Sequence, residues 1–422
     1  MIKYDKLNIF LREHYLIFLF VIILSPIFIS LDFSQGLNFD QFIFKSSNLG
    51  GGSEIRYRYP SIPISVLIVS VLSIYNLKDL LSNKKIQILS FLVIMYICLN
   101  LYFGITRAAI VGSGMMFIIV SYYIFLRIIS NRNAYKDFYI ALSFIIIVKL
   151  LFDIYFYQIQ GIGKTAFLTH YFISSNFAIY NFYDYFPFIY FLATALSVHN
   201  LLRRRYLILS LIVLVVSNVA IIGTESRLFI YSIYLVPFLY IFYQFTKLSL
   251  ERYFYLFLFV SLAIILICNF SVFICDVGPN TEFVLTFIAD ATCISPLSDQ
   301  LTDSLNRSLL ARAYNIQQYF ENFSLVNLIF PFLNEYRIKS SSSLHNELLE
   351  IFSFFGFVIV YYLFLLKQIF CNTKREFKFI SYLLMFVLII GTLMQINISN
   401  PYIGIITGAI LAVISSGSTK IR

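Results

Sequence analysis

Sparsely charged apolar runs close to 20 residues long recur from one end of this chain to the other, and that recurrence limits its folding more than any other feature. Twelve of them lie near 15–31, 61–77, 87–104, 108–126, 138–157, 184–201, 207–223, 228–246, 254–274, 348–366, 379–396 and 400–415. A run of about 20 apolar residues is the length a helix needs to cross the roughly 30 Å hydrocarbon core of a bilayer. Short alternating stretches would read as an outer-membrane barrel, but these runs are continuous. Composition agrees. Of 422 residues, 60% are hydrophobic and only 12% charged, and the mean hydropathy is +0.83. Soluble domains carry about 25% charged residues, so this chain lacks the polar surface of a cytosolic globule. The sequence therefore predicts an all-α fold: a polytopic transmembrane helical bundle of about 12 spans, forming a single membrane domain over residues 1–422.

The net charge of +10 raises the question of a nucleic-acid partner. Its distribution points elsewhere. With the N-terminus placed in the cytoplasm, every inside segment carries Lys or Arg: twenty in all, against ten outside and Lys149 within a span. This is the bias that orients membrane proteins, so the chain is expected to be multi-pass with both termini cytoplasmic and no nucleic-acid partner. The first run follows Lys3, Lys6 and Arg12, contains Pro26 and has no small-x-small cleavage site, so it reads as a retained span. One outer segment, 276–343, is far longer than the others, and a long loop on one face usually carries function. No Walker or Gly-x-Gly-x-x-Gly pattern is present to suggest an ATP-driven pump.

The few outward cations need individual explanations. Arg107, in Gly104-Ile105-Thr106-Arg107, and Arg227, in Thr224-Glu225-Ser226-Arg227, each open a helix whose N-terminus points outward. A cation there opposes the helix dipole unless an anion joins it and binds both the guanidinium and the free N–H groups. The alternatives are interfacial snorkelling and, for Arg227, pairing with Glu225. Within the long loop, 301–323 reads as an amphipathic helix, with Leu305, Leu309, Ile316, Tyr319, Phe320 and Phe323 on one face. Arg312, seven residues after Leu305, falls in that seam and requires an acceptor: an anionic ligand, or a structural partner such as Asp303 or Glu335. His345 sits at the outer start of the tenth span, with Ser343 as a cap. Gly356, eleven residues on, returns to the same helix face as a notch for another helix or a lipid chain. A His at such a boundary titrates near neutral pH; it also reads as an ordinary interfacial side chain.

His345-Asn346-x-x-Leu349 followed by Gly356, the Thr-Glu-Ser-Arg at 224–227, and Arg312 upstream of an aromatic helix together resemble three motifs of the O-antigen polymerase/O-antigen ligase superfamily. Where relatives often have a Gly-x-Gly-like turn after the loop helix, this chain has Phe330-Pro331-Phe332. The resemblance implies a bacterial inner-membrane glycosyltransferase of the Wzy type with 276–343 as a large periplasmic loop. Such an enzyme polymerises undecaprenyl-diphosphate-linked oligosaccharide repeat units. Its partners would be the lipid-linked glycan donor and acceptor, membrane lipid and a chain-length regulator, with no cofactor and no metal. Arg227, Arg312 and Arg107 would clamp the departing diphosphate. His345, with Glu225 in reserve, would accept the proton of the attacking hydroxyl. The same motifs fit an O-antigen ligase, and a transporter or flippase of lipid-linked glycan is the reading without bond chemistry.

Three further features remain. Lys149 and Asp153 lie four residues apart in the fifth span, as a structural pair or as the lining of a cavity. Cys275 and Cys293 fall outside, where a disulfide is permitted. The aromatic stretch from Tyr171 to Tyr190 reads as an interface belt, or as a surface for stacking on sugars.

Overall fold

The computed structural model describes residues 14–25, 27–30, 61–129, 134–154, 170–174, 177–180, 185–223, 318–339, 347–394 and 401–416. These residues are mostly helical. The N-terminal half contributes α1 (His14–Leu24), α2 (Ile64–Tyr75), α3 (Leu77–Ser82), α4 (Lys84–Tyr102), α5 (Arg107–Ile129), α6 (Ala134–Ile154), α7 (Tyr185–Leu202) and α8 (Leu207–Gly223). The C-terminal half contributes α9 (Glu335–Lys339), α10 (Glu347–Phe355), α11 (Val358–Cys371), α12 (Lys378–Met394) and α13 (Pro401–Ser415). Among them, α4 and α5 are long and apolar enough to cross a membrane by length and composition; six other apolar helices are shorter. The expected spans at 228–246 and 254–274 lie outside the described residues.

A helix that is apolar all round has no face to give to water and must be enclosed. Two helices follow this rule. Residues 402–415 of α13 are all buried, as are 188–200 of α7. Helices α2, α5, α6, α8 and α12 pack against one or both of them. The tightest contact is between α13 and α5, where Gly404 and Gly408 face Ile118, Ser121 and Tyr122. Their four-residue spacing puts both glycines on one face, and without side chains there the two backbones come together. That spacing stood in the sequence and was not read as a packing signal. Three of the helices are joined by hydrogen bonds between buried polar side chains. Tyr135 donates to Asn200 Oδ1 at 2.8 Å, and Tyr139 reaches Ser197 at 2.8 Å and Ser210 at 2.9 Å. This ties α6, α7 and α8 together.

The bundle has two chemically distinct ends. At one, Arg127 pairs with Asp79, Lys85 donates to Gln368 at 2.8 Å, and Arg205 lies 3.5 Å from Glu376. At the other, Tyr402 donates to the Leu24 carbonyl at 2.6 Å, and Asn100 donates to the Phe354 carbonyl at 2.9 Å. That second end also bears a small antiparallel sheet of β1 (Ile27–Ser30), β2 (Ser61–Pro63), β3 (His170–Ser174) and β4 (Phe177–Tyr180), in the order β2-β1-β4-β3. The sequence reading did not anticipate these strands. Residues 15–31 do not form one span: the helix stops at Leu24, Phe28-Ile29-Ser30 pairs with Ser61-Ile62-Pro63 on one side, and Ile27-Phe28-Ile29 pairs with Phe177-Ala178-Ile179 on the other. The cause is local. The residue before a proline resists helical geometry, and β-branched residues after it favour a strand. Pro63, lacking an N–H, falls on the edge strand, where it disrupts least.

The tight α5–α13 contact yields a prediction. A Cβ on Gly408 would lie 2.6 Å from the Ile118 carbonyl oxygen and 2.8 Å from the Tyr122 nitrogen. Gly408→Leu should therefore destabilise the protein by about 1–3 kcal/mol through overpacking. Thermal unfolding of the purified chain in detergent checks this; an unchanged midpoint would contradict backbone-to-backbone packing at this position.

Candidate functional site

The end of the bundle that carries the sheet also gathers two arginines around one carboxylate. Arg107 opens α5 and reaches that position through a tight turn after α4, in which the Ile105 N–H bonds back to the Asn100 carbonyl at 2.9 Å. Its guanidinium pairs with Glu350, one turn into α10. The side chain of Glu350 is 6% exposed and that of Arg107 is 40% exposed, so the pair spans the boundary between core and surroundings. On the inner side lies Arg337 of α9, itself buried. Its Nε donates to Ser353 Oγ at 2.8 Å, and Ser353 in turn donates to the Glu350 carbonyl at 2.7 Å.

Aromatic rings enclose Arg337. Its guanidinium lies 4.6 Å from the centroid of Phe354 and 5.9 Å from those of Tyr319 and Tyr336. Such stacking is a common means of holding a guanidinium away from water. Burial lowers Arg337 to about 10 and the Glu350 carboxylate opposes that shift, so the group stays charged at neutral pH. Burial likewise raises the Tyr319 phenol to about 12, keeping it neutral beside the cation. Arg107, Glu350 and Arg337 together carry one net positive charge. The Arg107 side chain is partly exposed at a helix N-terminus, and a net positive charge in that position favours an anion.

The segment 318–339 places Arg337. Asn334, fully buried, clips it together: its amide donates to the carbonyls of Asn322 at 3.1 Å and Tyr319 at 3.4 Å, and its oxygen accepts from the Tyr336 N–H at 3.0 Å. The segment docks at Gly356, and here the sequence reading needs correction. The tenth span is not one helix. It divides into α10 and α11 at Gly356, which adopts φ +51°. The notch at Gly356 is occupied by the backbone of the segment 318–339. It is filled by the Leu328 carbonyl, which accepts from the Phe357 N–H at 3.2 Å and with which any Cβ on residue 356 would collide. Glycine is required there twice over, for the left-handed backbone and for the space.

Arg107 is the one residue of the expected site that falls among the described residues. Glu225, Arg227, Arg312 and His345 lie outside them, as do Cys275 and Cys293. Of the proposed amphipathic helix 301–323, the described part is helical at 318–321. Lys149 is buried in α6. The reading missed Glu350, Ser353 and Arg337. Glu350 did have a signal, as the sole charged residue of the run 348–366. Arg337 was counted among the outward cations and had no spacing to mark it. Among the described residues no cluster of three or more His, Cys, Asp or Glu side chains is placed to hold a metal.

Comparison of the chain with family models, with curated proteins and with solved structures finds no match.

Replacing Arg337 by Met keeps much of the bulk but removes the charge and the bond to Ser353. Stability should fall by about 1–3 kcal/mol, the usual consequence of leaving a buried polar partner unmet. Chemical denaturation of the purified chain measures this. Wild-type stability in Arg337→Met would mean that the buried guanidinium does not hold 318–339 in place.

Proposed function

We propose that this chain is a polytopic membrane glycosyltransferase that lengthens a glycan carried on undecaprenyl diphosphate, on the outer face of a bacterial inner membrane. The reading takes the bundle as about 12 spans, with the cationic end in the cytoplasm and the Arg107 end outside. The contacts at the first end support that orientation, because they join the segments richest in Lys and Arg: 78–85, 127–136, 203–205 and 367–378.

The observation that carries the chemistry is the partly exposed Arg107 side chain, its guanidinium held by Glu350 close to the buried Arg337. Breaking a glycosidic bond to a diphosphate builds negative charge on the leaving phosphate. A fixed guanidinium stabilises that charge with parallel N–H donors and needs no reorganisation as it develops. Glu350 acts as a positioning residue, fixing the angle of Arg107. The roles of the remaining groups follow from the sequence: Arg227 and Arg312 complete the clamp, and His345, with Glu225 in reserve, accepts the proton from the attacking sugar hydroxyl. The bond from the donor's anomeric carbon to the diphosphate oxygen breaks, and a bond from that carbon to the acceptor oxygen forms. The proton passes to the imidazole.

The test uses the full chain in liposomes with lipid-linked repeat units and no nucleotide. Wild type should give a ladder of lengthened glycan. Arg107→Ala and Arg312→Ala should each lose the ladder while inserting normally, and His345→Ala should lower turnover by about 10²–10⁴-fold. Arg227→Lys should be poorly tolerated, because lysine cannot present two parallel donors. Glycan transferred only to a lipid A core acceptor would make the protein a ligase, and glycan moved across the bilayer but not lengthened would make it a transporter. A normal ladder from Arg107→Ala would remove Arg107 from the clamp.

A further inference from the structure

The segment 322–334 contains no charged residue, and apart from Asn322 and Ser324 its exposed residues are apolar. Leu325 is 80% exposed, and Val326, Ile329, Phe330 and Leu333 are exposed as well. In a loop lying in water this would be a costly surface.

The hydrogen bonds fix how deep it lies. Tyr96, six residues before the end of α4, donates its hydroxyl to the Ile329 carbonyl. Six residues of helix are about 9 Å, so Ile329 is held well inside the end of α4 rather than beyond it. Phe332 stacks on Phe103 with ring centroids 5.4 Å apart. The Leu328 carbonyl meets the chain at the break between α10 and α11, inside the apolar run 348–366. The segment thus packs against α10, with bonds to Tyr96 of α4 and to Phe357 just before α11.

The exposed apolar faces of α4 and α11 continue past it: Ile94 is 60% exposed on α4, and Val360 is 59% exposed on α11. The backbone is arranged for the same surroundings. Ser324 and Asn327 form a capping box, the N–H groups of Ile329, Phe330 and Leu333 find carbonyls within the segment, and Pro331 has no N–H. In hydrocarbon, irregular backbone is tolerated only when its polar groups are met by protein.

We infer that 324–333 is a re-entrant segment lying in the outer half of the bilayer, with Leu325, Ile329 and Leu333 against lipid acyl chains. The inference rests on the membrane-spanning reading of α4 and α11 and is independent of the glycan chemistry.

The chain has no tryptophan, so a single introduced Trp is an unambiguous probe. Ile329→Trp and Leu325→Trp are placed at exposed positions of the segment, and Ile94→Trp on α4 serves as the reference. Each full-length variant is reconstituted into liposomes of phosphatidylcholine, with or without bromine on the acyl chains. Trp emission is then read with and without aqueous iodide. Brominated lipid should remove the same fraction of emission from Ile329→Trp as from Ile94→Trp, and iodide should leave both unchanged. Quenching of both segment probes by iodide, with Ile94→Trp still quenched by brominated lipid, would overturn the inference and leave the spanning helices intact. Shielding of Ile329→Trp from both quenchers would also overturn it, since the surface would then be covered by protein, such as a second copy of the chain. Failure of brominated lipid to quench Ile94→Trp would remove the membrane reading and the inference with it.

Discussion

The constraint on which this structure turns is that a chain with so few polar residues must draw the partners of its buried polar groups from within. An unmet donor or acceptor in an apolar interior costs several times what a bond contributes, and the fold addresses that demand repeatedly. Asn100 sends its amide to two carbonyls, Tyr96 and Phe354. Asn334 joins three points of one short segment. At Gly356, where the helix breaks, a loop carbonyl accepts the next N–H. The same logic governs charge. Arg337 is buried only because aromatic rings, Ser353 and the nearby Glu350 surround it.

That logic links architecture to site. Arg107 begins one of the two longest apolar helices, and its partner Glu350 belongs to the first half of a broken one. The break lets 318–339 pack into the bundle and bring Arg337 beneath the pair. Without Gly356 there is no socket for Leu328, and without the socket Arg337 has no fixed place. The cluster therefore depends on a glycine six residues along the chain from its carboxylate. This is how a rigid bundle can hold guanidinium groups in a set geometry at one of its ends.

Much of the helical pattern was legible in the sequence, because hydropathy reports how a stretch relates to an apolar medium. The run at 207–223 coincides with α8, and the run at 400–415 differs from α13 by one residue at its start. Arg107 was placed in the first turn of its helix, and it is the first residue of that helix. Hydropathy does not report partners. It could not show that the acid facing Arg107 would come from α10, more than 240 residues away in the chain, nor that Arg337 would be drawn inward. It also could not separate a helix from a strand in a run as short as Ile27-Phe28-Ile29, where both are apolar. Gly356 was recognised as a special position, but an apolar run containing a glycine has the same hydropathy whether the helix continues or stops. Its occupant, a carbonyl from a loop, has no signature in local sequence.

The central claim is that the Arg107 end of the bundle holds a diphosphate carried on a lipid. Equilibrium binding of a short prenyl diphosphate and of the matching prenyl alcohol to the purified full chain tests it most directly, before any turnover. The diphosphate should bind, and the alcohol should not compete at equal concentration. Added salt should weaken the binding, and removing the Arg107 guanidinium should abolish it. Equal affinity for the two lipids, or binding indifferent to salt and to Arg107, would mean that this end of the bundle is not a diphosphate site.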